Sequence, residues 1–421
     1  DNGIAGNEAI KFAESNDVNV IITDHHEMPK ILPEAYAIVH PRHPDGDYPF
    51  GDLSGVGVAF KVATALLEEV PEEFLDLYAI GTIADLVSMT DENRFLVKKG
   101  LEMIPNTQRI GLQKLIEVSG ADLSHFDEQD IGFTVAPRIN AVGRLENACR
   151  AVELLTTFDE EEAAAIAKEI NSVNSKRQGL VSDIYTEAEK IALDEEHKDL
   201  QTLVIAGHDW HQGVLGIVAS RIVELTNKPT IVLSDQAGNG VYKGSGRSVE
   251  TLNLFQAIDP IRDQFVGFGG HHMAIGITVE DAHLADLANQ LEAAANAVRL
   301  DSTQQPHLQI DLKVKIEELT EQLVSEIKAL GPFGTNNSIP KFELENVHVK
   351  EAKAIGKDGS HLKFAVDDGN QSINAIAFKR GELTDVLNNV TNPISLAGTV
   401  NTNEWRGKVT VQFMTDDIKI D

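Results

Sequence analysis

A long stretch without proline is the feature that most limits how this chain can fold. No proline occurs between Glu146 and Glu195, and Asp159 with Glu162 three residues later is typical of a helix start. Beyond that start, apolar residues recur at helical spacing along one stripe. The stripe consists of Ile166, Ile170, Val173, Leu180, Ile184, Ala188 and Ile191. We therefore predict a long connecting helix over residues 146–197, whose stripe must be buried by neighbouring elements.

Short apolar segments alternate with helical patterns on both sides of this helix, as in α/β domains. Residues 18–23 (VNVIIT) form an apolar, β-branched run, which predicts a buried parallel strand. Residues 200–207 (LQTLVIAG) begin a second unit of the same kind. The predicted domains are therefore residues 1–145 and 198–302, and residues 303–335 are predicted to form a linker helix.

The last part of the chain has a different pattern, with short and closely spaced strands separated by polar turns. Five strands with one helical break at residues 382–387 favour a small barrel of the OB type over residues 336–421. An unrelated small sandwich or barrel remains the alternative. The five strand segments are KFELENVHV, HLKFAV, SINAIAF, ISLAGTV and KVTVQFM.

Acidic and imidazole side chains follow the ends of predicted elements in the first domain. Asp24, His25 and His26 come directly after the strand VNVIIT, and Asp85 ends an apolar helix. Ligands bind at the carboxyl ends of strands in such sheets, and carboxylate with imidazole suits manganese, with zinc or magnesium as alternatives. A solvated loop and a surface-facing aspartate are the alternative interpretations. Asp1, His25 and Asp85 are candidate ligands, too few to fill two metal sites.

Three glycine- and arginine-rich segments predict close contact with an anion. They are PRINAVGR (137–144), GSGRS (244–248) and GGHH (269–272), each interpreted as a loop. Glycine allows the backbone to approach a ligand, and arginine binds phosphate with two parallel hydrogen bonds. One such loop would be ordinary, but three in one chain indicate an anion site. The candidate residues are Arg138, Asn140, Arg144, Ser245, Arg247, Gly269, Gly270, His271 and His272.

Composition limits the classes of function. The formal net charge is −30, whereas proteins that bind duplex DNA without specificity are usually basic, so any nucleic-acid track is expected to be confined. Cys149 is the only cysteine, which excludes an intrachain disulfide and favours the cytoplasm. No apolar run approaches the roughly 18 residues that span a bilayer.

Taken together, the motifs resemble those of the RecJ exonucleases in the DHH phosphoesterase superfamily. One string would be weak, but eight in the same order are specific and cover nearly the whole chain. In order, they are DNGI, TDHHEMP, LSGVGVAFK, GTIAD followed by ENRFLVKKGL, FTVAPRINAVGRL, HDWHQGVLGIVASRI, KGSGRS and FGGHHMAIG.

The resemblance implies a two-lobed α/β core and roles for individual residues. It implies a catalytic domain holding two Mn²⁺ ions, with Mg²⁺ as an alternative, and Asp1, His25 and Asp85 as ligands. His26 is then expected near the scissile phosphate, with Asp24 orienting the histidines. The DHH-associated domain would supply substrate contacts across a cleft, and the OB-like domain would hold single-stranded DNA.

The resemblance also implies a function, 5′→3′ hydrolysis of single-stranded DNA in repair and recombination. A single-stranded-DNA-binding protein and a helicase are candidate partners. The family's first motif, Asp-x-Asp, has no counterpart here and is expected upstream of Asp1, so we expect this stretch alone to have little nuclease activity. The alternatives are an oligoribonucleotide or cyclic-dinucleotide hydrolase of the same superfamily, and an inactive single-strand-binding relative.

Overall fold

Helices and strands alternate along the chain in the computed structural model, which describes residues 2–235, 238–298, 307–356 and 358–420. The helices are α1 (Asn7–Glu14), α2 (Gly55–Leu67), α3 (Leu75–Ala84), α4 (Asp91–Met103), α5 (Ile110–Ser119), α6 (Glu128–Asp130), α7 (Ala136–Leu145), α8 (Cys149–Thr156), α9 (Glu160–Ala192), α10 (Leu215–Thr226), α11 (Leu254–Ile258), α12 (Leu284–Ala297), α13 (Glu321–Ala329) and α14 (Thr384–Asn389). The strands are β1 (Ile21–Thr23), β2 (Ala37–Val39), β3 (Leu203–His208), β4 (Thr230–Asp235), β5 (Val241–Arg247), β6 (Phe265–His271), β7 (Ala274–Glu280), β8 (Leu312–Lys313), β9 (Phe342–Ile355), β10 (His361–Asp367), β11 (Ser372–Ala377), β12 (Ile394–Trp405) and β13 (Lys408–Ile420).

The chain divides into two compact units, each assembled from separate stretches. Unit 1 contains residues 1–107, 122–133 and 307–421. Unit 2 contains residues 108–121 and 134–306. The first and last parts of the sequence thus fold together in unit 1.

After α1, unit 1 contains a small parallel pair of strands, and the first of them ends directly before Asp24 and His25. β1 pairs with β2, with Ile22 opposite Ile38. The prediction of a buried strand over residues 18–23 is wrong in extent, because β1 has three residues and Ile21 is 61% exposed. Within the described residues, β1 pairs with β2 alone. Ile22 is buried, whereas Ile21, whose side chain lies on the opposite face of β1, is open to solvent.

The C-terminal part of unit 1 is a closed ring of strands. The strand order is β10-β11-β13-β12-β9-β8, and β10 also pairs with β9, which closes the circuit. Alternate residues of these strands fill the interior, as expected for strands with one buried face. Its largest fully buried side chains include Phe364 and Phe413. All five predicted strands and the helical break are present, and β12 and β13 are longer than predicted because they pair as one hairpin.

Unit 2 contains a five-stranded sheet with helices on both faces. The order is β3-β4-β5-β7-β6, in which only β3 and β4 are parallel. Every residue of β4 is buried, because alternate side chains enter different cores. Val232 packs in the core with α9 and α10, and Ile231 and Leu233 pack in the core with α11 and α12.

The predicted long helix is present, but it is shorter than residues 146–197. α9 begins after Asp159, whose carboxylate accepts a hydrogen bond from Glu162 N at 2.8 Å, as the capping pattern predicts. A single helix is wrong, because Thr157 adopts an extended backbone that separates α8 from α9. Most of the apolar stripe is buried as predicted, including Ile170 at 0% exposure. Neither α9 nor any other described helix is long and apolar enough to cross a membrane.

Candidate active site

The aspartate that follows β1 is fully buried and surrounded by hydrogen-bond donors. Asp24 accepts its hydrogen bonds from the backbone N–H groups of Asn2, Ile4, His25 and His26, at 2.7–3.0 Å. The ring Nδ1 of His26 lies 2.8 Å from the same carboxylate. Burial alone would raise the pKa of Asp24, but these donors hold it well below its usual range. The group is therefore a fixed anion that shapes the turn.

His25 and Asp85 come together although sixty positions separate them in sequence. His25 Nε2 lies 3.3 Å from Asp85 Oδ2, and the Asp85 side chain is 40% exposed. Burial lowers the pKa of His25, and the nearby Asp85 carboxylate only partly opposes this effect. A neutral imidazole nitrogen beside an accessible carboxylate oxygen fits two ligands of a divalent cation such as Mn²⁺.

The third predicted ligand, Asp1, lies outside the described residues. Within the ranges that the structure covers, no group of three or more His, Cys, Asp and Glu side chains is arranged to hold a metal ion. The structure thus brings together His25 and Asp85, the two predicted ligands that it describes.

The ring of His26 is held in one tautomer by its aspartate partner. In the neutral ring, Nδ1 donates to the anionic Asp24 and Nε2 is the acceptor nitrogen. The His26 side chain is 52% exposed. The backbone carbonyl oxygen of His26 lies 2.8 Å from Nε2 of His40. This arrangement suits hydrogen bonding or proton exchange with a ligand beside His25.

A buried asparagine that the sequence interpretation missed supports both sides of this site. Asn93 on α4 is fully buried and accepts a hydrogen bond from the Tyr78 hydroxyl at 2.7 Å. Its amide donates to Asp52 O at 2.7 Å and to Ser88 O at 2.9 Å. Asn93 thereby joins the segment before α2 to the turn that follows Asp85. Its signal was a polar residue on the apolar face of α4.

PRINAVGR (137–144) is a helix rather than the predicted loop. Pro137 occupies the first turn of α7, where its missing N–H costs no hydrogen bond. Arg138 donates to Asn171 Oδ1 at 2.9 Å and to Thr134 O at 2.6 Å. Arg144 and Asn140 are exposed on the same helix, and Arg144 Nη1 lies 3.4 Å from Gly213 O.

GSGRS (244–248) is also not a flexible turn, since its first four residues belong to β5 inside the sheet. A Cβ at Gly244 would lie 2.1 Å from Val232 O, so glycine is required by a neighbouring strand. Ser245 and Arg247 lie two positions apart on β5, on the face that packs against the start of α10. A Cβ at Gly216 in α10 would lie 2.8 Å from Arg247 Nη2.

GGHH (269–272) ends β6 and enters a tight hairpin instead of forming a separate turn. Gly270 has φ 143°, and a Cβ there would lie 2.3 Å from Ala274 O, whereas Gly269 faces open space. His271 and His272 are exposed. Because Ala274 pairs with His271 on one side and with Arg247 on the other, both lie at the same end of the sheet.

A further arginine, missed in the sequence, lies near Arg144, which in turn lies near Arg247. Burial lowers the pKa of Arg177 on α9, and the charges of Arg144 and Arg221 lower it further. Burial and the Arg144 charge likewise lower the pKa of Arg247. The Nε atom of Arg177 is buried and has no hydrogen-bond partner among the described residues. We call Arg144, Arg177 and Arg247 the arginine cluster. It is a cationic site suited to phosphate.

Three family domains match the chain in sequence order. Residues 1–82 match the DHH family N-terminal domain, residues 199–299 the DHHA1 domain, and residues 310–417 the RecJ OB domain. These matches confirm the predicted α/β fold class with a C-terminal OB domain, and they exclude the unrelated sandwich.

Curated relatives are similar over the whole chain. The single-stranded-DNA-specific exonuclease RecJ of Bacillus subtilis (strain 168) is 40% identical over 420 residues, which cover 100% of this chain and 53% of that protein. The RecJ of Haemophilus influenzae is 33% identical, with 100% of this chain and 76% of that protein covered. The chain thus spans about half the length of the Bacillus relative.

Solved structures agree with these matches. RecJ from Thermus thermophilus in complex with Mn²⁺ superposes with a TM-score of 0.84 at 30% identity, covering 99% of this chain and 60% of that one. The same protein with Mg²⁺ gives a TM-score of 0.80 at 31% identity, covering 96% and 60%. From its motifs, its fold and this similarity, the chain belongs to the RecJ family.

Proposed function

We propose that this chain forms the catalytic part of a Mn²⁺-dependent exonuclease that degrades single-stranded DNA in repair and recombination. The observation that carries the proposal is the approach of His25 Nε2 to Asp85 Oδ2 at 3.3 Å, beside the Asp24–His26 pair. Relatives named single-stranded-DNA-specific exonucleases support the substrate, and the family resemblance supports the 5′→3′ direction.

His25 and Asp85, with Asp1, would hold Mn²⁺ or Mg²⁺ in this proposal. When bound, two such ions supply an activated water and neutralise charge on the cleaved phosphodiester. Asp24 fixes the His26 ring, whose Nε2 then hydrogen-bonds at the phosphate or takes part in proton transfer. Asn93 holds the segment before α2 and the turn after Asp85 in fixed positions relative to each other.

In unit 2, the arginine cluster and Ser245 would bind phosphates of the substrate strand. The support is chemical, because three arginines without an ion pair among the described residues are complementary to an anion. His271 and His272 would add contacts from the same end of the sheet. Cytoplasmic location, a single-stranded-DNA-binding protein and a helicase remain parts of this proposal.

The test uses the full-length protein that contains this chain, with single-stranded DNA labelled at either end. Mn²⁺-dependent release of nucleotides from the 5′ end is expected. Asp85→Asn should lower kcat/KM at least about 100-fold. Replacing a residue that only orients a metal ligand can lower activity by up to about 100-fold, and loss of the ligand itself should lower it at least as much. The control is Asp385→Asn on α14, an exposed aspartate outside the site.

Two results would contradict the proposal. Cleavage of oligoribonucleotides or cyclic dinucleotides in preference to DNA would favour another DHH phosphoesterase. DNA binding without hydrolysis at any Mn²⁺ concentration would favour an inactive single-strand-binding relative.

A further inference from the structure

The residue after Asp85 adopts a backbone conformation that its own side chain does not explain. Leu86 has φ 59°, the left-handed region that is unfavourable for a non-glycine residue. Its side chain is 75% exposed, so packing does not offset this cost. Leu86 ends α3 in this conformation, and contacts from another part of unit 1 stabilise the turn between Asp85 and α4.

The stabilising contacts come from the segment of residues 330–337, which lies between α13 and β9. The Thr335 hydroxyl donates to Leu86 O at 2.8 Å, and Thr335 O accepts from Met89 N at 2.7 Å. Asn336 Nδ2 lies 3.2 Å from Ser88 Oγ. Thr335 and the residue after it thus bond to the turn that follows Asp85.

The segment itself is firmly attached, so it can support the turn. Arg94 Nη2 donates to Leu330 O at 2.7 Å, and Phe333 N donates to the Glu128 carboxylate at 3.1 Å. A Cβ at Gly334 would lie 3.1 Å from the Met89 Cβ, and Met89 is 2% exposed. Close packing and hydrogen bonds hold the segment on α4 and α6.

We infer that Thr335 is a positioning residue for Asp85. The Leu86 carbonyl that Thr335 binds is one peptide away from Asp85, so this bond limits where the carboxylate lies relative to His25. Groups that orient a metal ligand strengthen metal binding even though they do not touch the ion. The inference rests on the proposed function, since it assumes that Asp85 is a ligand, and it extends the site into the segment before the OB strands.

The experiment measures Mn²⁺ affinity of the full-length protein by calorimetry without DNA, and then DNA kinetics. Thr335→Val removes the hydroxyl and keeps the shape, so Mn²⁺ should bind about three- to tenfold more weakly, the effect of one hydrogen bond. KM for DNA at saturating Mn²⁺ should stay within about twofold of wild type, because Thr335 does not touch the substrate in this proposal. Thr335→Ser retains the hydroxyl and should restore the Mn²⁺ affinity.

Thr384→Val is the matched control, because the Thr384 hydroxyl also donates to a backbone carbonyl, Gly381 O at 2.7 Å, at the start of α14. It should bind Mn²⁺ as wild type does. Equal Mn²⁺ affinity of Thr335→Val and wild type would overturn the inference and leave the proposed function standing, as would a serine variant as weak as the valine variant. A wild-type protein that binds no Mn²⁺ would overturn both.

Discussion

At the scale of single residues, the proposed function makes folding and binding place opposite demands on the arginine cluster. Burial lowers the pKa of Arg177 and of Arg247, and the charge of Arg144 lowers both further. Such an arrangement opposes folding, and a bound phosphate offsets it. Residues that serve binding at a cost in stability are typical of functional sites.

Arg177→Met should therefore separate binding from stability. The change removes the charge and retains an unbranched, helix-compatible side chain, so KM for single-stranded DNA should rise about tenfold, the effect of one charge-assisted contact. The melting temperature should stay the same or rise, because charge repulsion is relieved. Steady-state kinetics and thermal unfolding measure the two effects.

The comparison is Lys190→Met, an exposed lysine on the same helix, which should leave KM unchanged. Unchanged KM in Arg177→Met would contradict the binding role of Arg177, and a clear loss of stability would contradict the predicted relief of charge repulsion.

At the residue level, the sequence indicated one class of site residue and missed another. Asp24, His25 and Asp85 were predictable because polar groups directly follow the ends of apolar elements. Asn93, Arg177 and Thr335 were not, because residues distant in sequence place each of them. Their roles depend on tertiary contacts that no local pattern records.

Elements in unit 2 show how glycine can mislead a sequence interpretation. Glycine-rich segments predicted turns, but β5 and β6 are strands, and Gly244 is present because Val232 O approaches it closely. The C-terminal strands were predictable because alternation and polar turns are local signals. The requirement for glycine in β5 comes from the adjacent strand, which is not apparent from local sequence.

Gly244→Ala should destabilise unit 2 by about 3 kcal/mol or more, because a backbone oxygen 2.1 Å from the new Cβ cannot yield as a side chain would. Gly276→Ala on β7 is the matched control, since nothing lies within 4 Å of its Cβ position, and it should change stability by less than about 0.5 kcal/mol. Urea unfolding measures both changes. Equal stability of the two variants would contradict the steric explanation.

Over the whole molecule, a net charge of −30 coexists with a confined group of cations. Composition predicts a narrow nucleic-acid track, and in the proposed function the arginine cluster on the described part of unit 2 would form part of it. On this proposal, DNA affinity depends on a few phosphate contacts rather than on a broad basic surface.

The salt dependence of DNA binding should reveal how many phosphates the protein contacts. For single strands, the slope of log K against log salt is about −0.7 for each phosphate neutralised, so Arg177→Met should reduce its magnitude by about 0.7. Fluorescence anisotropy over a KCl series measures the slope. The same slope in the variant and wild type would mean that Arg177 contacts no phosphate.

The bond between Thr335 and Leu86 also sets an order of events during synthesis. The two residues are 249 positions apart. At about 5–20 residues per second, a ribosome needs roughly 12–50 seconds to pass from one to the other. During that interval the whole DHHA1 domain is made while the turn beside Asp85 lacks its partner. The nascent chain therefore completes the support of this carboxylate only after both α/β domains have been translated.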